Sequence, residues 1–111
     1  MRYLFLLWGD EAAELGLPDA ERRAIVESRM AFSRTIRDEG RELSGEPLGP
    51  SRNGLVVRRN GSVTDGPFLE TKEQLGGFYL IDCRDGADAA AVARRIPASP
   101  GLTIEIREIP G

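Results

Sequence analysis

Histidine is missing from this 111-residue chain. Its absence removes Ser-His-Asp and Cys-His arrangements and most catalytic zinc sites, so any acid–base chemistry falls to carboxylates, tyrosine, arginine or the single lysine, Lys72. Cysteine occurs once, at Cys83, which excludes an internal disulfide and any cysteine-based metal cluster. The N-terminal apolar run from Tyr3 to Trp8 is too short for a secretory core and far too short to span a bilayer. A reducing cytoplasm is the expected location. No charge of one sign dominates: 18 acidic and 15 basic residues leave a net charge of -3, too weak a field to argue for direct nucleic-acid or membrane binding. No repeat or low-complexity segment is present. No spacing gathers the carboxylates of a metal cage, and Gly76-Gly77 precedes a strand rather than a helix, so no phosphate cradle forms. No metal or cofactor is expected.

What remains is an ordinary globular composition, 41% hydrophobic and 30% charged, of a size that suits one domain spanning residues 1–111. Residues 2–8 are apolar at both parities, Tyr3, Phe5 and Leu7 alternating with Leu4, Leu6 and Trp8, as in a strand covered on both faces. Pro18 to about Glu39 has helical periodicity. Asp19 and Glu21 suit its N-terminal end and Gly40 its stop, while Ile25, Phe32 and Ile36 form one stripe that Val26 and Met30 widen. Leu43–Glu46 reads as a short strand, broken by Pro47 and Pro50. Residues 55–58 and 62–64 read as a hairpin with Asn60-Gly61 in a type I′ turn. Residues 78–83 form a second strand apolar on both faces, 86–96 a helix, and 102–107 a half-exposed strand.

The order β-α-β, hairpin, β-α-β suits an α+β ferredoxin-like sandwich with an extra hairpin, two helices lying on one face of an antiparallel sheet. Two helices cover only one face. The other would expose a large apolar patch, and the simplest closed solution is an isologous homodimer with the bare faces stacked. Cavities near such a seam are natural ligand sites.

RYLFLLWGDE (2–11), GEPLGP (45–50) and above all TDGPFLETKEQLGGFYLID (64–82) resemble the YCII-related family, in the branch named for its Asp-Gly-Pro-Phe signature. The resemblance covers nearly the whole chain. It implies a dimeric α/β barrel built from ferredoxin-like subunits, but little about activity: most members of the branch have no established reaction. Some accompany extracytoplasmic-function sigma factors, and a related branch includes dehalogenases of chlorinated lactones. The wider family carries an Asp near the end of the first strand and a His on the first helix. Asp10 matches the former, and Arg29 stands about where the histidine would.

Arginine cannot act as an ordinary base near neutral pH, so Arg29 is better suited to gripping a carboxylate or phosphate. Asp10 and Asp65 are the candidate catalytic groups, and Arg29, Glu46 and Lys72 the candidate ligand-binding ones. Each has a plainer reading. Asp10 suits a strand-end turn, Arg29 a side chain laid along apolar surface with a local ion pair, and Lys72 a solvated run. Asp65 suits a turn capping the following amides while Phe68 anchors the loop in the core. Three functions stay open: a binder or enzyme of small anionic organic molecules, a regulatory module that docks to a transcription partner, and a scaffold.

Overall fold

A computed structural model describes residues 1–111, the side chain of Leu43 excepted. Strand β1 (Arg2–Asp10) runs straight into helix α1 (Glu11–Leu15), where Asp10 serves as N-cap: its Oδ1 accepts from the Ala13 N–H at 3.1 Å. Helix α2 (Asp19–Asp38) follows Pro18 and carries Asp19 and Glu21 in its first turn. Its C-terminal stop is a Schellman pair. Gly40, at φ +76°, donates to the Arg37 carbonyl at 2.8 Å, and the Arg41 N–H reaches back to Ile36 at 3.0 Å. Strand β2 (Glu42–Pro47), a 3₁₀ turn at Ser51–Asn53, the hairpin strands β3 (Leu55–Val57) and β4 (Val63–Asp65), strand β5 (Glu73–Asp82), helix α3 (Gly86–Ala93) and strand β6 (Thr103–Ile109) complete the order.

The main sheet has the order β2-β5-β1-β6 with every neighbouring pair antiparallel. Two βαβ units therefore interleave: β5 lies between β1 and β2, and β1 between β5 and β6. The sheet is open, with β2 and β6 as its edges, and the chain alone closes no barrel.

Tyr3, Phe5, Leu7, Tyr79, Ile81 and Cys83 point toward the helices and are buried against Phe32 and Ile36 of α2 and Ala89 and Val92 of α3. The Phe32 and Tyr79 rings meet edge to face, their centroids 5.3 Å apart. On the other face Leu4 stands opposite Leu80, Leu6 opposite Phe78 and Trp8 opposite Leu75, all only half-buried in the single chain. That face has no helix.

The buried carboxylate of Asp88 ties α3 to the sheet. It accepts from Arg41 at 2.9 and 3.3 Å and from the Arg84 N–H at 2.9 Å.

Several sequence expectations are corrected. Helix α1 is new, because a five-residue element is too short for a periodic signal. Strand β5 starts at Glu73 rather than 78, with Gly76 as the extra residue of a β-bulge between Leu7 and Trp8. The hairpin turn is not type I′. Only Gly61 has positive φ, at +89°; Asn60 stays at negative φ and its Oδ1 accepts from the Ser62 N–H at 2.9 Å. Bonds from Gly61 to Arg58 and from Arg58 to Ser62 close a three-residue loop instead. Phe68 does not anchor the core: it is 64% exposed, with the Arg58 guanidinium 5.4 Å above its ring. The Asp65 carboxylate caps no amide among the described residues. The loop is closed by the Gly66 N–H to the Gly54 carbonyl at 2.8 Å, and a Cβ at Gly66 would lie 2.3 Å from the Ser51 carbonyl oxygen.

Candidate functional site

Register along the helix-facing side of the sheet explains the main recess of the molecule. One row runs Phe5, Tyr79, Gly45 and the next runs Leu7, Gly77, Pro47. Two of these six positions have no side chain. At Gly45 the space is taken by the Tyr79 ring, since a Cβ there would sit 2.5 Å from Tyr79 Cδ1. At Gly77 nothing rises toward the helix. The C-terminal half of α2 packs down through Phe32 and Ile36, but its N-terminal half stands over this bare floor and leaves a groove of about 630 Å³. Ile25, Val26 and Met30 form its roof; Val26 and Met30, expected to widen the buried stripe, stay more than half exposed at the mouth.

Arg29 enters the groove from the middle of α2. Its Nε donates to the Pro97 carbonyl at 3.0 Å and its Nη2 to the Ser99 hydroxyl at 2.9 Å. Both partners are neutral, and Arg29 makes no ion pair with any described carboxylate. Burial pushes the guanidinium below its usual range, and the neighbouring Tyr79 oxygen and Glu14 carboxylate pull it part of the way back. Tyr79 shares the groove; burial pushes its hydroxyl up, against the opposing pull of Ser33 and Arg29.

The other charged groups around the groove are mostly spoken for. Glu11 clasps the 3₁₀ turn, accepting from the Ser51 N–H at 2.9 Å and from its hydroxyl at 2.7 Å. Glu42 pairs with Arg37 at 3.3 Å, and Arg22 pairs with Asp19. Glu14, half-buried in α1, lines the groove with no hydrogen-bond or ion partner for its carboxylate among the described residues. The arrangement is an apolar slot in which Arg29 and the half-buried Glu14 have no opposite charge beside them, Arg34 and Glu46 stand exposed at the rim, and the hydroxyls of Ser33, Tyr79 and Ser99 line the wall.

The five expected site residues do not converge in the single chain. Arg29 and Glu46 line the groove, Glu46 from the exposed end of β2. Asp10 lies outside it, its carboxylate shared between the α1 cap and Lys72 Nζ at 3.4 Å. Lys72 is otherwise in solvent, and Asp65 is exposed at the base of the hairpin. Sequence reasoning did not single out Glu14, Ser33 or the Gly45 and Gly77 floor. Ser33 lies one helical turn beyond Arg29, a spacing that could have flagged it.

Residues 1–110 match the YCII-related domain. The chain belongs to the YCII-related family. It is 34% identical over 114 residues to an uncharacterized protein of Rhizobium meliloti (strain 1021), an alignment that covers 98% of this chain and 92% of that protein. In this YCII-related chain the groove holds no histidine, and α2 contributes Arg29, a cation fixed to neutral partners. Such a group can bind and orient an anion but cannot take its proton.

Proposed function

We propose that this YCII-related protein binds a small anionic organic molecule in the groove beneath α2, with Arg29 as the anion anchor. The observation that carries this reading is a half-buried guanidinium with no acidic partner. A desolvated charge is costly unless it is matched, and a carboxylate seated against the free edge of the guanidinium would match it. Ile25, Met30, Leu7 and Leu102 supply the apolar wall that a ligand site of this size ordinarily has. Binding, rather than turnover by Asp10 and Asp65, is what this geometry supports, because both carboxylates lie away from the groove in the single chain.

The working unit is proposed to be a homodimer of ferredoxin-like subunits. Leu4, Leu6, Trp8, Leu75, Phe78 and Leu80 form a continuous half-exposed apolar face, and an identical face on a second copy covers it by symmetry. The two sheets would then complete an α/β barrel.

The binding reading is tested by a thermal-shift screen of small organic acids on the wild type and on Arg29→Gln. At least one acid should stabilise the wild type, and its affinity should fall by about 10- to 100-fold in the variant, the weight of a charge-assisted contact of about 1.5–3 kcal/mol. Equal affinity in the two proteins, or no hit in the wild type, would refute it.

A further inference from the structure

Arg29 is not the only unmatched group in the groove. Of the other charged side chains lining it, Glu11, Arg37 and Glu42 have partners in the chain, Arg22 pairs with Asp19 through Nη2 while its buried Nε finds no acceptor, and Arg34 and Glu46 stand exposed at the margin. Glu14 is half-buried and unpaired. It is near enough for its charge to act on the guanidinium, yet the two close no ion pair. Two opposite charges in an apolar setting ordinarily collapse onto each other when their side chains can reach. Here Arg29 is held toward the α3–β6 connection by Pro97 and Ser99, while Glu14 projects from α1, whose start is pinned by the Asp10 cap and by the Glu11 clasp on Ser51. The gap between them is therefore built into the fold.

We infer that the ligand is a zwitterion with an apolar body, an amino acid or close relative, its carboxylate on Arg29 and its ammonium on Glu14. This rests on the anion-binding reading above and adds the second charge. The Ser33 and Tyr79 hydroxyls lie in the same groove as further hydrogen-bonding groups, and Ile25, Met30 and Leu102 offer an apolar surface for the body of the molecule. A simple acid would satisfy Arg29 but leave Glu14 without a partner, and a simple amine would do the reverse. Only a ligand carrying both charges neutralises both ends.

Calorimetric titration separates the possibilities with three matched probes: L-phenylalanine, 3-phenylpropanoate, which lacks the ammonium group, and 2-phenylethylamine, which lacks the carboxylate. In the wild type phenylalanine should bind at least about tenfold more tightly than either, the difference of one charged contact. Glu14→Gln should reduce that preference over 3-phenylpropanoate to about one, with 3-phenylpropanoate itself binding no more weakly than to the wild type because a nearby negative charge has been removed. Glu14→Asp, which keeps the charge, should restore part of the preference. Should 3-phenylpropanoate bind as tightly as phenylalanine and depend on Arg29, the zwitterion inference fails and the anion reading survives. Binding by none of the three probes overturns the zwitterion inference and leaves the anion reading to the thermal-shift screen, and a preference that persists in Glu14→Gln overturns the role of Glu14.

Discussion

Two arginines in this chain meet opposite circumstances, and the contrast shows what each residue is for. Arg41 is matched: it holds Asp88 in two hydrogen bonds beside the Arg84 N–H, and the buried carboxylate lies far below the usual carboxylate range, first because of Arg41 and then because of Arg84. A carboxyl depressed on folding stabilises the native state above its unfolded pKa, near about 4, and that contribution disappears as pH falls through the lower folded value. Asp88→Asn should therefore unfold at lower urea than the wild type at neutral pH. Below about pH 4 the gap should narrow, because the wild-type midpoint falls with acidification more steeply than the variant's. A gap of constant size from neutral to acid pH would remove Asp88 from this role. Arg29, by contrast, is only half satisfied within the chain, and that incompleteness makes it a candidate for recognition rather than for support.

At the scale of elements, the sequence was informative wherever a period was long or a stop was chemical. The 20-residue helix α2 announces itself by Ile25, Phe32 and Ile36 and by the Gly40 stop, and the two-faced strands by Tyr3–Trp8 and Phe78–Cys83. What escaped notice depends on pairing. Gly76 and Gly77 look like a leader to a strand until the register sets Gly77 beside Leu7 and makes Gly76 a bulge. Likewise, Asn60-Gly61 carries the residues of a type I′ turn, but the strands close one residue further out at Arg58 and Ser62, so Asn60 spends its side chain on the Ser62 amide instead. The candidate site was legible in part for the same reason. Arg29 stands out as a charge on an apolar stripe, a purely local signal. Glu14 becomes meaningful only once α1 has folded against the end of the sheet, and no local pattern in Glu11–Leu15 reveals that.

For the whole molecule the deciding fact is layer number. The chain measures 41 × 40 × 18 Å, and its short dimension accommodates one helical layer on one sheet and nothing more. Leu6, opposite Phe78 at the centre of the open face, is the natural probe of what covers that face. Light scattering at low micromolar concentration should give a particle of twice the 12.2 kDa chain mass, reduced to a single chain by Leu6→Glu, because a buried charge at a symmetric seam is unpaired twice over. A wild-type particle of one chain mass would exclude the homodimer.

Ligand binding in the groove has a direct readout in the Arg29 side chain. Its Nε–H can be followed by ¹⁵N-resolved NMR, assigned by its disappearance in Arg29→Gln, while a small organic acid from the thermal screen is titrated in. A saturable shift of that one arginine resonance, following the same binding curve as the thermal stabilisation, is the result required if the guanidinium beneath α2 is the anion anchor. An unmoved Arg29 signal at saturating acid, with other arginines shifting in its place, would contradict it.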